Sequence, residues 1–297
     1  MTMPGVGGWL LPARFLAERI APIATSDQRV QAQWARWWRD VSHACGPATG
    51  VRTLFDTAAM PLFGRLGFRA RNPRFAPGGA TATLLTPGGQ TIALLVRPWA
   101  DRPPALFREA TSAARDAGAN WCCVFAPPTL SIVPASGNVT RRSLDFTFPA
   151  AADPGSLGIF LMLAGSAAFD TGALDHLLDA ARTDAARVRV DLQQGVIDAL
   201  AELTQVLTRA TRATPTGEAL TLVYRILFLM FAESRDLVPR HHPIYRDTYT
   251  LSSLCSEALR ATPARGLWDG LAAISRLSRQ GGQVDTLQVF PFNGHLF

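Results

Sequence analysis

The chain has 297 residues, 48% hydrophobic and 18% charged, a composition that supports one or two domains with a sizeable core and excludes a disordered chain. All 29 lysine-or-arginine positions are arginine, which excludes chemistry that needs a lysine amine, such as a P-loop or a Schiff base. The net charge of +6 and the isoelectric point near 9.9 favour contact with nucleic acid, although arginine also pairs with carboxylates inside folds.

Cysteine usage and hydropathy predict a cytoplasmic protein that makes no contact with a membrane. The four cysteines contain no CxxC pair and no metal spacing: Cys45, Cys122, Cys123 and Cys255. No basic leader precedes the short apolar segment at the N-terminus, so a signal peptide is not expected. The longest apolar run, at Ala219–Pro239, is too short to span a bilayer and is interrupted by Arg225.

Residues 1–50 are predicted to form N-terminal helices. Trp34, Trp37 and Trp38 stand at positions i, i+3 and i+4, which places three indoles on one face of a helix. We expect this face to anchor the helix in the core, because a platform on which bases stack would need exposed rings.

Residues 51–150 predict an α/β domain. The predicted elements, in chain order, are a helix at Thr53–Phe63, a Pro/Gly-rich turn at Asn72–Gly79, a hairpin of Thr81–Thr86 with Thr91–Arg97, a helix at Pro103–Ala117, a buried strand at Trp121–Phe125, and a second hairpin of Leu130–Val133 with Leu144–Phe148. This order is that of a restriction-endonuclease-like core, a fold-level analogy; the alternative is an unrelated α/β domain.

The same order predicts that the domain is a degenerate nuclease. In the PD-(D/E)xK arrangement, the second hairpin strand carries an acid and a lysine two residues apart, and the acids hold Mg²⁺. Here Leu95 takes the acid position and Arg97 the lysine position. Because a leucine cannot ligate a metal, we expect no metal and no catalytic residue at this place.

Residues 151–297 predict a mainly helical domain, so that the whole chain belongs to the α+β class. The helical segments are Leu157–Phe169, Asp191–Ala213, Ala219–Pro239, Leu251–Ala261 and Leu267–Leu277. Ala219–Ala232 has almost no polar position, which predicts a helix buried on most sides.

Three stretches in this last part resemble a known family. They are YRILFLMFAESRDLVP at Tyr224–Pro239, PIYRDTYTL at Pro243–Leu251, and PFNGHLF at Pro291–Phe297. In this order they resemble motifs of the type IIG/IIL restriction–modification enzymes and of the adenine methyltransferases in BREX- and DISARM-like phage-defence systems. His295 replaces the glycine that is usual in the third motif.

The resemblance implies a helical connector that precedes a methyltransferase domain. That domain carries a Gly-rich S-adenosylmethionine loop and an Asn-Pro-Pro-Tyr-type tetrad, and neither occurs in this sequence, whose only Asn-Pro is Asn72-Pro73. We therefore expect a truncated or split member, with S-adenosylmethionine bound only by a missing domain or partner. The motif residues expected to be structural are Tyr224, Arg225, Glu233, Arg235, Tyr245, Arg246, Asn293 and Gly294.

The expected function is that of an accessory component of such a system, which binds DNA or a separate methyltransferase subunit and has no catalytic site of its own. The densest basic cluster supplies the candidate phosphate contacts: Arg65, Arg69, Arg71 and Arg74. A solvated loop is the alternative reading of this cluster.

Two other functions stay open at this point. One is a nuclease with a rearranged Mg²⁺ site built from Asp101, Glu109 or Asp145. The other is a non-catalytic interaction protein or remnant without affinity for DNA. A metal site of His241, His242, His295 and Asp247 is not expected, because adjacent histidines point in different directions.

Overall fold

The computed structural model describes residues 3–102, 106–135, 142–211, 216–235, 237–260, 266–284 and 286–291. The chain forms two compact units, Met1–Arg187 and Val188–Phe297. The sequence-based division falls at residues 50 and 150, whereas the units divide within a long helix. The first unit extends further at both ends because its N-terminal segment joins the sheet and the helices after residue 150 enter its core.

The first unit contains helices and strands up to β7, and after β7 it contains only helices among the described residues. The elements are β1 (Val6–Gly8), α1 (Ala13–Phe15) continued by a π-helical turn (Leu16–Ile20), α2 (Gln28–Ala44), α3 (Val51–Leu54) continued by a π-helical turn (Phe55–Ala59), α4 (Met60–Arg65), β2 (Arg69–Ala76), β3 (Gly79–Leu85), β4 (Thr91–Val96), α5 (Leu106–Asp116), β5 (Trp121–Ala126), β6 (Thr129–Pro134), β7 (Leu144–Thr147), α6 (Pro154–Ala164) and α7 (Ser166–Asp170). The next helix, α8 (Ala173–Thr211), crosses the unit boundary. The second unit continues with α9 (Thr216–Ser234), α10 (Pro243–Thr248), α11 (Leu251–Arg260), α12 (Leu267–Gln280), β8 (Gly282–Val284) and β9 (Leu287–Val289).

The described strands of the first unit form a seven-stranded mixed sheet of order β1-β7-β6-β5-β4-β3-β2. All neighbours are antiparallel except β4 and β5, which are parallel and joined through α5, since parallel neighbours need a crossover. The predicted α+β class and the predicted hairpin of β3 with β4 are confirmed, with Thr83 opposite Ala93. The hairpin turn needs Gly89, whose φ of 88° favours glycine.

Each face of the sheet has its own core. On one face α5 packs its buried positions Leu106, Ala110 and Ala114 against Ala93 and Leu95. On the other face a larger core receives α2, α4, α6 and the start of α8. The predicted role of the three indoles is confirmed, because Trp34, Trp37 and Trp38 are buried there: Trp34 lies edge-on to Phe160 at 5.1 Å, and Trp37 edge-on to Phe148 at 5.1 Å.

Two strands of the seven-stranded sheet were missed by the sequence analysis. β1 holds only Val6, Gly7 and Gly8, too short and too rich in glycine to give an alternating pattern, and it is a strand because it pairs with β7. β2 contains Asn72 and Pro73, which ordinarily signal a turn, and it is a strand because it pairs with β3.

In the second unit α9 is buried on one side only, so the prediction that this helix is buried on most sides is wrong. The buried positions are Ala219, Val223, Leu229 and Ala232. Large side chains at the other positions stay exposed: Leu220, Tyr224, Met230 and Phe231. In the part of the chain that the structure describes, the other elements of this unit therefore cover α9 on one side and leave these side chains exposed. Within the described residues, no helix combines the length and the apolar character that a membrane crossing requires.

Candidate nucleic-acid interface

The edge strand β2 carries three of the four arginines that the sequence assigns to phosphate contact. β2 pairs with β3 on one side only, and Arg69, Arg71 and Arg74 are exposed in it. Arg65 is exposed in the last turn of α4, which leads into β2. The structure therefore places all four at one edge of the sheet.

The predicted turn at Asn72–Gly79 is wrong, because most of it belongs to β2, which contains a bulge. The register of β2 on β3 shifts between Arg71 and Arg74, and Asn72 has a φ of 54°. A bulge at a sheet edge accommodates Pro73, whose missing N–H would break a central ladder.

The bulge keeps Arg69, Arg71 and Arg74 on one face of the sheet. They pair with every second residue of β3, namely Leu85, Thr83 and Thr81. Alternate residues of a strand share a face, and paired residues of neighbouring strands project to the same face. Arg74 follows Arg71 by three positions, so without the extra residue it would project to the opposite face.

These arginines keep their charges exposed to solvent. Among the ion pairs found within the described residues, none involves Arg69, Arg71 or Arg74. Arg65 donates from Nη1 to the carbonyl of Pro61 at 3.2 Å, a local contact that leaves its charge unneutralised. A row of exposed guanidinium groups on one face can contact several phosphates of one nucleic-acid strand.

Arg97 lies on the same face, directly after β4, at the position expected for a nuclease lysine. Its guanidinium donates to Asp101 at 2.9 Å and to Glu109 at 3.1 Å, and its side chain is 15% exposed. Leu95, in the acid position, is buried against α5. The guanidinium therefore lies between the two carboxylates and forms an ion pair with each.

The third candidate carboxylate belongs to a separate ion pair. Asp145 on β7 accepts from Arg102 at 3.1 Å, and the same nitrogen donates to Ser131 on β6, also at 3.1 Å. Within the described residues, no group of three or more His, Cys, Asp and Glu could hold a metal ion. The structure thus brings Asp101 and Glu109 together, but around an arginine and without Asp145.

The loop that carries these groups is conformationally unusual. Ala100 has a φ of 58°, and its amide donates to the carbonyl of Pro127 at 2.6 Å, which ties the loop to the end of β5. Arg97 Nε and Asp145 Oδ1 are buried and have no hydrogen-bond partner among the residues that the structure describes. Strained backbone and unsatisfied polar atoms are typical of sites that contact a further group.

In the second unit, Glu233 connects two of the family-like motifs. Glu233 is 7% exposed, and its carboxylate accepts hydrogen bonds from the amide of Leu251, from the amide of Ser252 at 3.4 Å and from the Ser252 hydroxyl at 3.0 Å. A carboxylate at this place satisfies amides at the start of α11 and interacts favourably with the helix dipole.

Tyr245 and Arg246, from the second motif, have opposite environments. Tyr245 is buried beside Tyr249, and burial, followed by the nearby charge of Glu233, raises the pKa of its hydroxyl to about 12. Arg246 is exposed and donates to Asp247 at 2.8 and 3.2 Å, and this hydrogen bonding lowers the pKa of the Asp247 carboxyl.

The remaining motif residues are scattered. Tyr224 is 55% exposed on α9, Arg225 is half-buried, and the guanidinium of Arg235 lies over the Phe231 ring at 5.6 Å. Asn293 and Gly294 lie outside the described residues.

Sequence reasoning missed several polar residues near these sites. Arg52 lies over the ring of Phe75 at 4.9 Å and supports the exposed strand β2. Arg240 and Arg260 flank a polar cavity in the second unit. Isolated arginines give no periodic signal, so only the tertiary arrangement identifies them.

Family models, curated proteins and solved structures were compared with the chain, and none matches. The resemblance to defence methyltransferases therefore rests on the three sequence motifs alone.

Proposed function

We propose that this chain is an accessory component of a restriction–modification or phage-defence DNA methyltransferase system, which binds DNA and does not cleave it. The observation that carries the proposal is the face of β2, where a bulge brings Arg69, Arg71 and Arg74 into phase at an open sheet edge. Guanidinium groups that have no acidic partner in the described part of the chain suit phosphate contact, which does not depend on DNA sequence.

The first unit supports the description as a degenerate nuclease. Along the chain the helix α4 is followed by the antiparallel strands β2, β3 and β4, then by α5, and then by β5, which is parallel to β4. Apart from the additional strand β2, this is the order of the restriction-endonuclease-like core named above, used as an analogy of fold. Leu95 in the acid position and the ion-paired Arg97 in the lysine position leave no carboxylate pair for Mg²⁺.

The second unit offers a surface for a protein partner. Leu220, Tyr224 and Phe231 are exposed on α9 at spacings of four and seven residues, so they form one apolar stripe. Contiguous exposed apolar side chains of this kind mark contact sites between proteins. The partner that fits the proposal is a separate methyltransferase subunit, which would bind S-adenosylmethionine. The complex would act in the cytoplasm.

Salt-dependent DNA binding tests the proposal. The affinity of the full chain for a labelled DNA duplex is measured by fluorescence anisotropy at several salt concentrations. The triple variant Arg69→Gln, Arg71→Gln, Arg74→Gln is expected to bind more weakly and to reduce the slope of log K against log salt by about 3, at roughly 0.9 for each lost phosphate contact.

A matched control removes the same charge from the opposite face of the sheet. Arg29, Arg36 and Arg39 are exposed on α2, and changing all three to glutamine is expected to leave the slope nearly unchanged. Equal losses in the two triple variants would show that only net charge matters, and the assignment of β2 would be wrong. Mg²⁺-dependent nicking of plasmid DNA that is abolished by Asp101→Asn would instead support the rearranged nuclease.

A further inference from the structure

A polar cavity of about 360 Å³ opens on the second unit. All its lining residues lie between Arg240 and Arg260, and each is an arginine, an aspartate, a serine or a threonine. Sites for drug-like ligands are lined mostly by apolar and aromatic side chains. A lining of polar and charged residues therefore favours a small, strongly hydrated, charged group.

The lining is positively charged. Three guanidinium groups, those of Arg240, Arg246 and Arg260, share the cavity with one carboxylate, that of Asp247. Because the hydrogen bonds from Arg246 lower the pKa of Asp247, this carboxylate stays ionised at neutral pH. The lining thus holds more guanidinium groups than carboxylates, which favours an anion.

Arg246 and Arg260 are held by contacts that leave donors for a ligand. Arg260 Nε donates to the carbonyl of Ser256 at 3.1 Å, and Arg240 Nη1 donates to the carbonyl of Glu233 at 2.9 Å. Arg246 uses Nε and Nη2 on Asp247. Within the described residues, these contacts occupy two of the five N–H donors of Arg246 and one of the five of Arg260.

The start of α11 does not itself supply the anion site. Its amides at Leu251 and Ser252 donate to Glu233, and the amide of Ser253 donates to the Thr250 hydroxyl at 3.2 Å. The guanidinium groups are therefore the groups in this cavity that can hold an anion.

We propose that the cavity binds a phosphate group, held by the guanidinium groups of Arg246 and Arg260 with Arg240 beside them. A planar guanidinium offers parallel N–H donors that match two phosphate oxygens. Two sources share this chemistry. One is a backbone phosphate of DNA, in which case the cavity is a further DNA contact and the inference rests on the function proposed above. The other is a free phosphate compound such as a mononucleotide.

Calorimetric titration of the full chain with inorganic phosphate, in a chloride buffer of low ionic strength, tests the site. Wild-type protein is expected to bind, and Arg246→Gln and Arg260→Gln are each expected to weaken binding about tenfold or more, since each removes a charge-assisted hydrogen bond. Arg279→Gln, which removes the same charge from an exposed position on α12, is the control and is expected to bind as the wild type does. No binding by folded wild-type protein, or an equal loss in the control, would overturn the site.

DNA-binding measurements on the same variants separate the two sources and the two proposals. If the ligand is a DNA phosphate, Arg260→Gln lowers the salt slope by about 0.9 and inorganic phosphate competes with DNA. If the ligand is a free phosphate compound, Arg260→Gln lowers the affinity for inorganic phosphate and leaves the affinity for DNA unchanged. A chain that binds phosphate but not DNA supports the cavity and contradicts the proposed function; one that binds DNA through β2 but not phosphate contradicts the cavity alone.

Discussion

Replacing Glu233 with alanine is expected to loosen the start of α11. The carboxylate is buried and accepts from the amides of Leu251 and Ser252 and from the Ser252 hydroxyl. A hydrogen bond to a charged group contributes about 1.5–3 kcal/mol, and a buried donor left without a partner costs about 1–3 kcal/mol. A carboxylate at a helix N-terminus adds about 0.3–1 kcal/mol. These contributions overlap, so we expect a loss of about 3 kcal/mol in the local free energy of opening.

Hydrogen exchange followed by NMR measures this loss where it occurs. A drop of about 3 kcal/mol accelerates exchange of the Leu251 and Ser252 amides roughly 150-fold, because each 1.4 kcal/mol corresponds to a factor of ten. Glu233→Gln keeps a carbonyl oxygen for the Leu251 amide but loses the charge, so its acceleration should be smaller, about tenfold.

Glu257→Ala on the same helix is the matched control. Glu257 is exposed, so its removal should leave exchange at the start of α11 within a factor of about three. If Glu233→Ala exchanges no faster than Glu257→Ala at Leu251 and Ser252, the carboxylate does not hold α11, and the structural role given to this motif is wrong.

Three further predictions concern the thiols and the cofactor. In the native protein Cys255 should react rapidly with a thiol reagent while the buried Cys45, Cys122 and Cys123 stay protected, and mass spectrometry of the labelled peptides checks this. Burial raises the pKa of Cys122 from 9.0 to about 12, so its contribution to stability is complete below pH 9 and is lost as the pH rises to 12. The loss amounts to about 4 kcal/mol, and Cys122→Ala should flatten the fall of the urea midpoint over this range. Calorimetry with S-adenosylmethionine should show no binding; a measurable affinity would contradict the assignment of this cofactor to a partner.

The sequence predicted the parts of the fold that depend on local pattern. β3 and β4 were expected because two β-branched and apolar runs flank a Pro-Gly-Gly turn, and the indole face of α2 was expected from its helical spacing. Each of these two signals comes from residues that are close together in the chain. Neither depends on what the element packs against.

Other features depended on partners that are distant in the chain. β2 reads as a turn because Asn72 and Pro73 break its pattern, and it becomes a strand through pairing with β3. α9 reads as a buried helix because it is apolar on all sides, but how much of it is buried depends on how many elements surround it. A sequence gives the polarity of a face and not the presence of a neighbour.

The sequence by itself determined that all lysine-or-arginine positions are arginine, that the segment Thr91–Val96 contains no carboxylate, and that the basic residues concentrate at 65–74. Only the tertiary structure decided that Arg69, Arg71 and Arg74 share a face, since their phase depends on one extra residue in a bulge. It also decided that Glu233 holds a helix 18 positions away. The physical reason is the same in both cases: side-chain type is local, whereas the direction and the partner of a side chain are set by contacts between distant segments.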